Sequence, residues 1–487
     1  MKYLLGIDQG TTQTTAAVVN ERGEIVEKSS AHLPARFPHP GWVEQDPFDI
    51  LRTVKEACAP LLAKYQVTAV GFDNQGETFV LWDQETGKPV IPAIVWQDTR
   101  GEAICKRLAL RLDVDGLRQK TGLLLDSYFS APKLKWMFET YPEIREQAQS
   151  GKLKFGTTET WVIWSLTRGK LHVTDPSTAS RTLLFNINSF EWDDELLSLF
   201  DVPQSLLPEV KPSAGWIGDV DFGDGKPLPV HAMLVDQQAA LFGQACFRVG
   251  EMKCTFGTGS FLLMNIGASP RLSDHGLLTT VGWSLDDRPV YALDGGIFVT
   301  GAAVQWLRDG LKLIPDSAAS NESAWRSLDT GVVVVPALQG LAAPHWRTDI
   351  RGAMFGLNRG TTSDDIVRAT LDGIACRVYE VVSAMTKDAG QAPPYLKVDG
   401  GPSANAYLMH RIADLLNLEI RVSAAQEATA IGIANLAGVS ALGTSLDDLA
   451  RNWEAESIYT PEMMEEERRK RLWQWNKALE AVKTYHS

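Results

Sequence analysis

An apolar strand that runs into an acidic residue, a glycine and two threonines opens this chain: Tyr3-Leu4-Leu5-Gly6-Ile7-Asp8-Gln9-Gly10-Thr11-Thr12. Glycine lets a backbone approach an anion closely and take torsion angles closed to other residues. The backbone N–H groups around Gly10, with Thr11, Thr12 and Gln13, suit the oxygens of a phosphate. Asp8, at the strand end, is placed to hold a hydrated Mg²⁺. A short glycine motif is weak evidence, and an ordinary β-hairpin with a glycine turn reads the same way. A second such stretch changes the weight. Glu251-Met252-Lys253-Cys254-Thr255-Phe256-Gly257-Thr258-Gly259-Ser260 again gives strand, Gly, Thr, Gly and Ser, followed by the apolar Phe261-Leu262-Leu263-Met264.

At 487 residues the chain is expected to form two or three domains. Hydrophobic and charged contents of 44% and 22% are those of a water-soluble globular protein. A formal net charge of −13 argues against nucleic acid or an anionic membrane as partner. The five cysteines show no CxxC or ligand spacing, so buried reduced thiols and a cytoplasmic location are expected. The apolar run Gly331–Val335 is stopped by Pro336 and reads as a buried strand. The histidines carry no zinc-type spacing.

Along the chain, residues 1–33 read as a β-meander turning at Asn20–Gly23. Asp46 caps a helix with Pro47 at its first position, and Ile50, Val54, Ala57, Leu61 and Leu62 form its apolar face. The strand Thr68–Phe72 delivers Asp73-Asn74-Gln75-Gly76-Glu77, and a hairpin is expected over Thr78–Trp82 and Lys88–Ile91. Ala93–Trp96 reads as a buried strand running into a helix, Tyr128–Met137 begins another helix, and the strand Pro229–Val235 hands over to a helix starting at Asp236. Ser363 is expected to cap a long amphipathic helix. Leu396-Lys397-Val398-Asp399-Gly400-Gly401 leads into a helix over Ala404–Leu416, where a glycine pair leaves backbone open to a flat base; a plain strand–helix turn fits equally. Trp453, Trp473 and Trp475 are expected to dock the charged C-terminal helix.

Taken in order, these pieces resemble the FGGY carbohydrate kinases, and within them the glycerol kinases, over nearly the whole chain. The resemblance rests on Gly6–Thr12, Pro40–Pro47, Asn74–Thr78, Ala93–Gln97, Tyr128–Trp136, Asp236–Gln244 and Gly352–Asp372. It implies an α/β fold of two actin-like (ribonuclease H-like) domains flanking a cleft, with the boundary expected near 246/247. It further implies ATP and Mg²⁺ as cofactors, a small polyol or sugar as substrate, and a homo-oligomer, dimer or tetramer. By matching position, Asp236 is the catalytic base. Gly76, Glu77, Trp96, Tyr128, Asp236, Gln237 and Phe261 line the polyol site. Gly10, Thr11, Thr12, Gln13, Thr258, Gly301, Gln305, Gly400, Gly401 and Asn405 face the nucleotide, and Asp8 the metal.

The chain departs from the family pattern in four places. Thr15 stands where a basic residue is usual, and Arg347 where glycerol kinases place an Asp. Gly225-Lys226-Pro227 replaces the Gly-Thr-Arg segment that binds fructose bisphosphate in regulated bacterial members, so no such site is expected. Gly76 replaces the Arg of Asn-Gln-Arg-Glu-Thr, a donor to glycerol's hydroxyls. From that last change glycerol is expected to be a poor acceptor and a four- or five-carbon polyol or ketose a better one. The competing expectations are that another basic residue reaches in and glycerol remains the substrate, or that the chain is a non-catalytic actin-like ATPase.

Overall fold

The computed structural model describes residues 2–223, 225–286 and 288–486. Among these residues a mixed sheet of 13 strands runs through both halves of the chain. In the first half Leu228–Val235, Val67–Asn74 and Tyr3–Gln9 lie parallel, and Gln13–Asn20 and Ile25–His32 continue antiparallel. In the second half Ile420–Ser423, Leu396–Asp399 and Met252–Phe256 lie parallel, followed by the antiparallel Ser260–Gly267, Arg288–Ile297 and Leu278–Leu285. Each half therefore presents three parallel strands and an antiparallel meander. The sheets meet at Ala214–Val220, where Ala214 pairs with Leu285.

The central strands read as apolar runs because both their faces are covered. The helix Ala428–Leu442 from the second half lies across Tyr3–Gln9 and Val67–Asn74 of the first. This crossing is close enough to require glycine: a Cβ on Gly6 would stand 2.0 Å from the Ala430 carbonyl oxygen, and one on Gly71 2.4 Å from that of Ile433. Leu4, Ala69, Ala239, Ala430 and Ile433 share the resulting core. That helix thus packs the second half of the chain onto the first.

Local chemistry follows the sequence in most places. Asp46 accepts from the Phe48 N–H and starts the helix Pro47–Leu62, whose Leu62 packs only partly buried at the edge of the apolar face. All five cysteines are buried thiols. Four expectations need correction. Thr362, not Ser363, caps the helix Ser363–Ala389, because Thr362 and Asp365 satisfy each other's backbone in a capping box. Lys88–Ile91 turns back on residues 81–83 as expected, but only as the single antiparallel bridge Trp82–Pro89; the ladder partners of Phe79–Asp83 are Leu153–Thr157 and Ala93–Ile94, in a separate sheet of four strands. That leaves Ala93–Ile94 as a two-residue strand, with the next helix starting only at Glu102. Trp475 docks the C-terminal helix, whereas Trp473 is exposed and Trp453 donates to Gln244 on another part of the fold.

Candidate active site

Three parallel strands of the first half end side by side, where ligands collect in open α/β sheets. Asp8 and Asp73 are in register on adjacent strands. On the other side of Val67–Asn74, Leu234 stands opposite Asp73, and its strand hands over to the helix Asp236–Gly243. Three carboxyls are gathered there. Burial, and then the charge of Asp236, raises the Asp8 carboxyl to about 7. Burial, and then Asp8, raises Asp73 well above the usual range. Asp73 is fully buried, and no hydrogen-bond donor reaches either of its oxygens. Asp236 is raised by burial and drawn back by bonds from the Gln237 N–H at 2.7 Å and side-chain amide at 3.3 Å, and by Lys253.

An orphaned carboxyl beside a second one is a donor set for a hard cation such as Mg²⁺. Among the described residues no group of three or more His, Cys, Asp or Glu side chains is arranged to hold a metal ion by itself. That matches Mg²⁺, which is usually held by one or two carboxylates with water and substrate phosphates. The residues fit the ion.

The two glycine hairpins form as the sequence implies. Gly10 N–H bonds the Gln13 carbonyl at 3.1 Å, and Gly257 N–H that of Gly259 at 2.7 Å. Thr12, Gln13 and Thr258 are exposed at the tips. Around the second hairpin the expected nucleotide-side glycines are brought together. Gly301 donates to the Gly257 carbonyl at 3.0 Å and begins the helix Gly301–Gln305, with Gln305 exposed at its end. Gly400 has φ +87°, and a Cβ on it would stand 2.0 Å from the Phe256 oxygen, so the turn demands glycine. A Cβ on Gly401 would meet nothing within 4 Å, which leaves open backbone there. Asn405 Oδ1 caps the helix Ala406–Leu416, and its Nδ2 donates to Ser320.

The residues expected to bind the acceptor also converge. Trp96 packs edge-on between Tyr128 at 5.4 Å and Phe261 at 6.4 Å between ring centroids, the last coming from the second half. The Trp96 indole N–H donates to the Thr11 hydroxyl at 2.9 Å, so a wall of the pocket is bonded to the first hairpin. Thr11 therefore accepts from Trp96 as well as retaining a proton to donate. Glu77 is buried, and Asn74 Oδ1 accepts the Gly76 N–H at 2.8 Å, which fixes the turn between them. Gly76 has φ +78°, and a Cβ there would have only Val235 Cγ2, at 3.3 Å, within contact.

Sequence reasoning missed four charged side chains of this site. Lys253 is buried and donates to Gln237 Oε1 and Thr255. Lys133 is buried and reaches the carbonyls of Val95, Trp96 and Tyr128, holding the two aromatic residues by their backbones; burial lowers it to about 8. Arg181 pairs with Glu77 at 2.7 Å and with Asp294 at 2.9 Å. The Lys253 and Lys133 positions lie inside motifs already singled out, so a basic residue in an apolar run was an available signal. Nothing local marked Arg181 or Asp294. Of the departures, Thr15 is buried against Ser30 at 3.0 Å, and Arg347 pairs with Asp349 at the surface.

Comparison with known proteins agrees with this geometry. The FGGY family of carbohydrate kinases matches by its N-terminal domain over residues 3–243 and by its C-terminal domain over residues 252–441. The chain is 46% identical to a glycerol kinase of Oceanobacillus iheyensis and 45% identical to one of Bacillus subtilis, in each case across 99% of both chains. It superposes on the crystal structure of Plasmodium falciparum glycerol kinase with ADP with a TM-score of 0.93 at 36% identity, covering 99% of this chain and 98% of the other. A ligand-bound xylulose kinase from Lactobacillus acidophilus shares the fold, with a TM-score of 0.90 at 21% identity. The chain belongs to the FGGY family of carbohydrate kinases.

Proposed function

We propose that this kinase transfers the γ-phosphate of ATP to a terminal hydroxyl of a small polyol, with glycerol as the reference acceptor. The observation that carries the reading is the seat of Asp236. It stands at a strand end next to Asp8, and its charge acts on Glu77 and Tyr128 of the aromatic pocket. In this reading Asp236 takes the proton of the attacking hydroxyl and holds the oxygen in line with the phosphate. Burial keeps its carboxyl more basic than an exposed one. Trp96 and Phe261 exclude water from the acceptor's carbon atoms, and Glu77 and Gln237 take its other hydroxyls. The hairpin N–H groups, with Thr12 and Thr258, hold the phosphate oxygens, and Lys253 adds positive charge beside them. Asp8 and the adjoining carboxyl would hold Mg²⁺, which when bound neutralises charge on the phosphate oxygens. Names among the relatives support the acceptor class, since glycerol kinases match along the full chain and one of them is seen with ADP.

A second reading enlarges the acceptor to four or five carbons. It is favoured by Gly76, which leaves the space beside Glu77 without a side chain. Arg181 is the basic residue that reaches Glu77 from elsewhere in the fold, and it bonds Asp294 as well. Phosphorylation rates for glycerol, erythritol, threitol, xylitol and the matching ketoses test both readings. An ATPase that none of these acceptors stimulates would defeat the kinase assignment. The same proposal places the functional boundary near 246/247, with a cytoplasmic homo-oligomer as the working form; among the described residues no helix is long and apolar enough to cross a membrane.

A further inference from the structure

Arg181 lies between two carboxylates that come from different halves of the chain. Its Nε donates to Glu77 Oε1 at 2.7 Å and its Nη1 to Asp294 Oδ2 at 2.9 Å. All three side chains are nearly buried, at 6%, 4% and 9% exposure, so the triad stands in the protein and not on its surface. The guanidinium carbon lies 5.9 Å from the Tyr128 ring centroid. Asp294 belongs to the strand Arg288–Ile297, two residues before Gly296, and alternate residues of a strand share a face. Gly296 is paired with Phe261, and a Cβ on it would stand 3.6 Å from the Phe261 ring. Asp294 therefore sits on the strand face that carries the Phe261 wall of the acceptor pocket.

Three polar atoms of this group bond to no described residue: Arg181 Nη2, Asp294 Oδ1 and Glu77 Oε2. The group also carries one negative charge in excess. A guanidinium presents its donors in one plane, so two fixed nitrogens aim the third. A carboxylate with one oxygen engaged keeps its other oxygen as an acceptor. Nearly buried donors and acceptors are normally satisfied, here by whatever fills the pocket.

We propose that Arg181 and Asp294 are acceptor-binding residues: Arg181 Nη2 donates to one hydroxyl of the bound polyol, and Asp294 Oδ1 accepts from another. With Asp236 on the reacting hydroxyl and Glu77 on a second, glycerol has one hydroxyl left for this pair, whereas a four-carbon polyol has two, one for each of them. The acceptor class is a polyol or ketose of at least four carbons, its far end in the space left by Gly76. This inference rests on the polyol-kinase reading and selects among its substrates. The second half of the chain thereby reads the acceptor directly, as well as through Phe261.

The test compares kcat/KM on glycerol and on erythritol, threitol and erythrulose for the wild type, Asp294→Asn and Arg181→Lys. The wild type is expected to prefer a four-carbon acceptor. Each substitution is expected to lower kcat/KM on that acceptor by about 10- to 100-fold, mostly through KM, and at least one of the two to lower it on glycerol by less than about 3-fold. Equal losses on glycerol and on the four-carbon acceptors would make the triad structural and overturn the proposal, as would a wild-type preference for glycerol. ADP affinity, measured by calorimetry, serves as the control for folding. Should Asp294→Asn not fold, Asp294→Glu keeps the charge and lengthens the side chain by one methylene; it is expected to reorder the preference among the acceptors, and an unchanged order would count against the proposal. A wild type inactive on every acceptor would instead remove the kinase reading on which this one stands.

Discussion

The indole N–H of Trp96 donates to the hydroxyl of Thr11 across 2.9 Å, joining the acceptor pocket to the first phosphate hairpin. The hairpin is further held by Gln45, whose amide donates to the Thr11 carbonyl at 2.7 Å; its Oε1 in turn accepts from Gln75 at 3.0 Å. Gln75 Oε1 accepts from Thr78, and the Thr78 hydroxyl accepts the Trp96 backbone N–H at 3.1 Å. Trp96 is thus bonded into the hairpin through its side chain and its main chain. Hydrogen-bonded chains of this kind fix geometry beyond what each bond contributes singly.

Trp96→Phe keeps an aromatic wall and removes the bond to Thr11. A neutral buried bond is worth about 0.5–1.5 kcal/mol. The expected result is a rise of roughly 2- to 10-fold in KM for both acceptor and ATP. An effect confined to the acceptor would mean that the bond carries nothing to the nucleotide side.

Asp236→Asn should fold and bind nucleotide yet lose about 10²- to 10⁴-fold in kcat, because an amide cannot take the acceptor's proton. Activity within a few-fold of wild type would show that another group is the base.

Lys253 is a charged neighbour that lowers the Asp236 carboxyl against the upward push of burial. Lys253→Met removes that charge. The Asp236 carboxyl then rises, so the acid limb of the pH profile of kcat/KM moves to higher pH, and kcat at neutral pH falls. An acid limb that stays where it is, or moves to lower pH, contradicts this sign.

Much of this was legible in sequence because it depends on local chemistry. The second hairpin needs glycine at Gly259, where a Cβ would stand 2.4 Å from the Ile297 oxygen, Asp46-Pro47 writes a helix start, and the order of motifs carries the family. What was not legible depends on long-range pairing. Arg181 meets Glu77 and Asp294 over more than a hundred residues of chain, and no periodicity reports such a contact. Phe79–Asp83 meets the neighbouring Lys88–Ile91, as expected, but only through the Trp82–Pro89 bridge; its ladder partner Leu153–Thr157 lies far along the chain, where nearness in sequence gives no sign of it. The cap that Asn405 gives the helix Ala406–Leu416 is the local preference of its residue type, and so was open to reading in the sequence.

Asp73 supplies the remaining prediction. Its carboxyl is fully buried, meets no donor and faces Asp8, so folding favours its protonated form. A carboxyl whose folded pKa is raised binds a proton more tightly in the native state than in the unfolded chain. The unfolding free energy therefore falls as pH rises above about 3.8, the unfolded value, by at most about 1.4 kcal/mol per pH unit, until the native group also ionises. Asp73→Asn has the same shape, needs no proton, and brings N–H donors to the Asp8 carboxyl. In the ligand-free protein it is expected to raise Tm, by more at pH 8.5 than at pH 5.5, and to flatten the decline between them. Melting curves of both proteins across that range decide the matter. A variant less stable than wild type at pH 8.5, or one with an unchanged slope, would mean that Asp73 is ionised and held by a partner that its surroundings in this fold do not show.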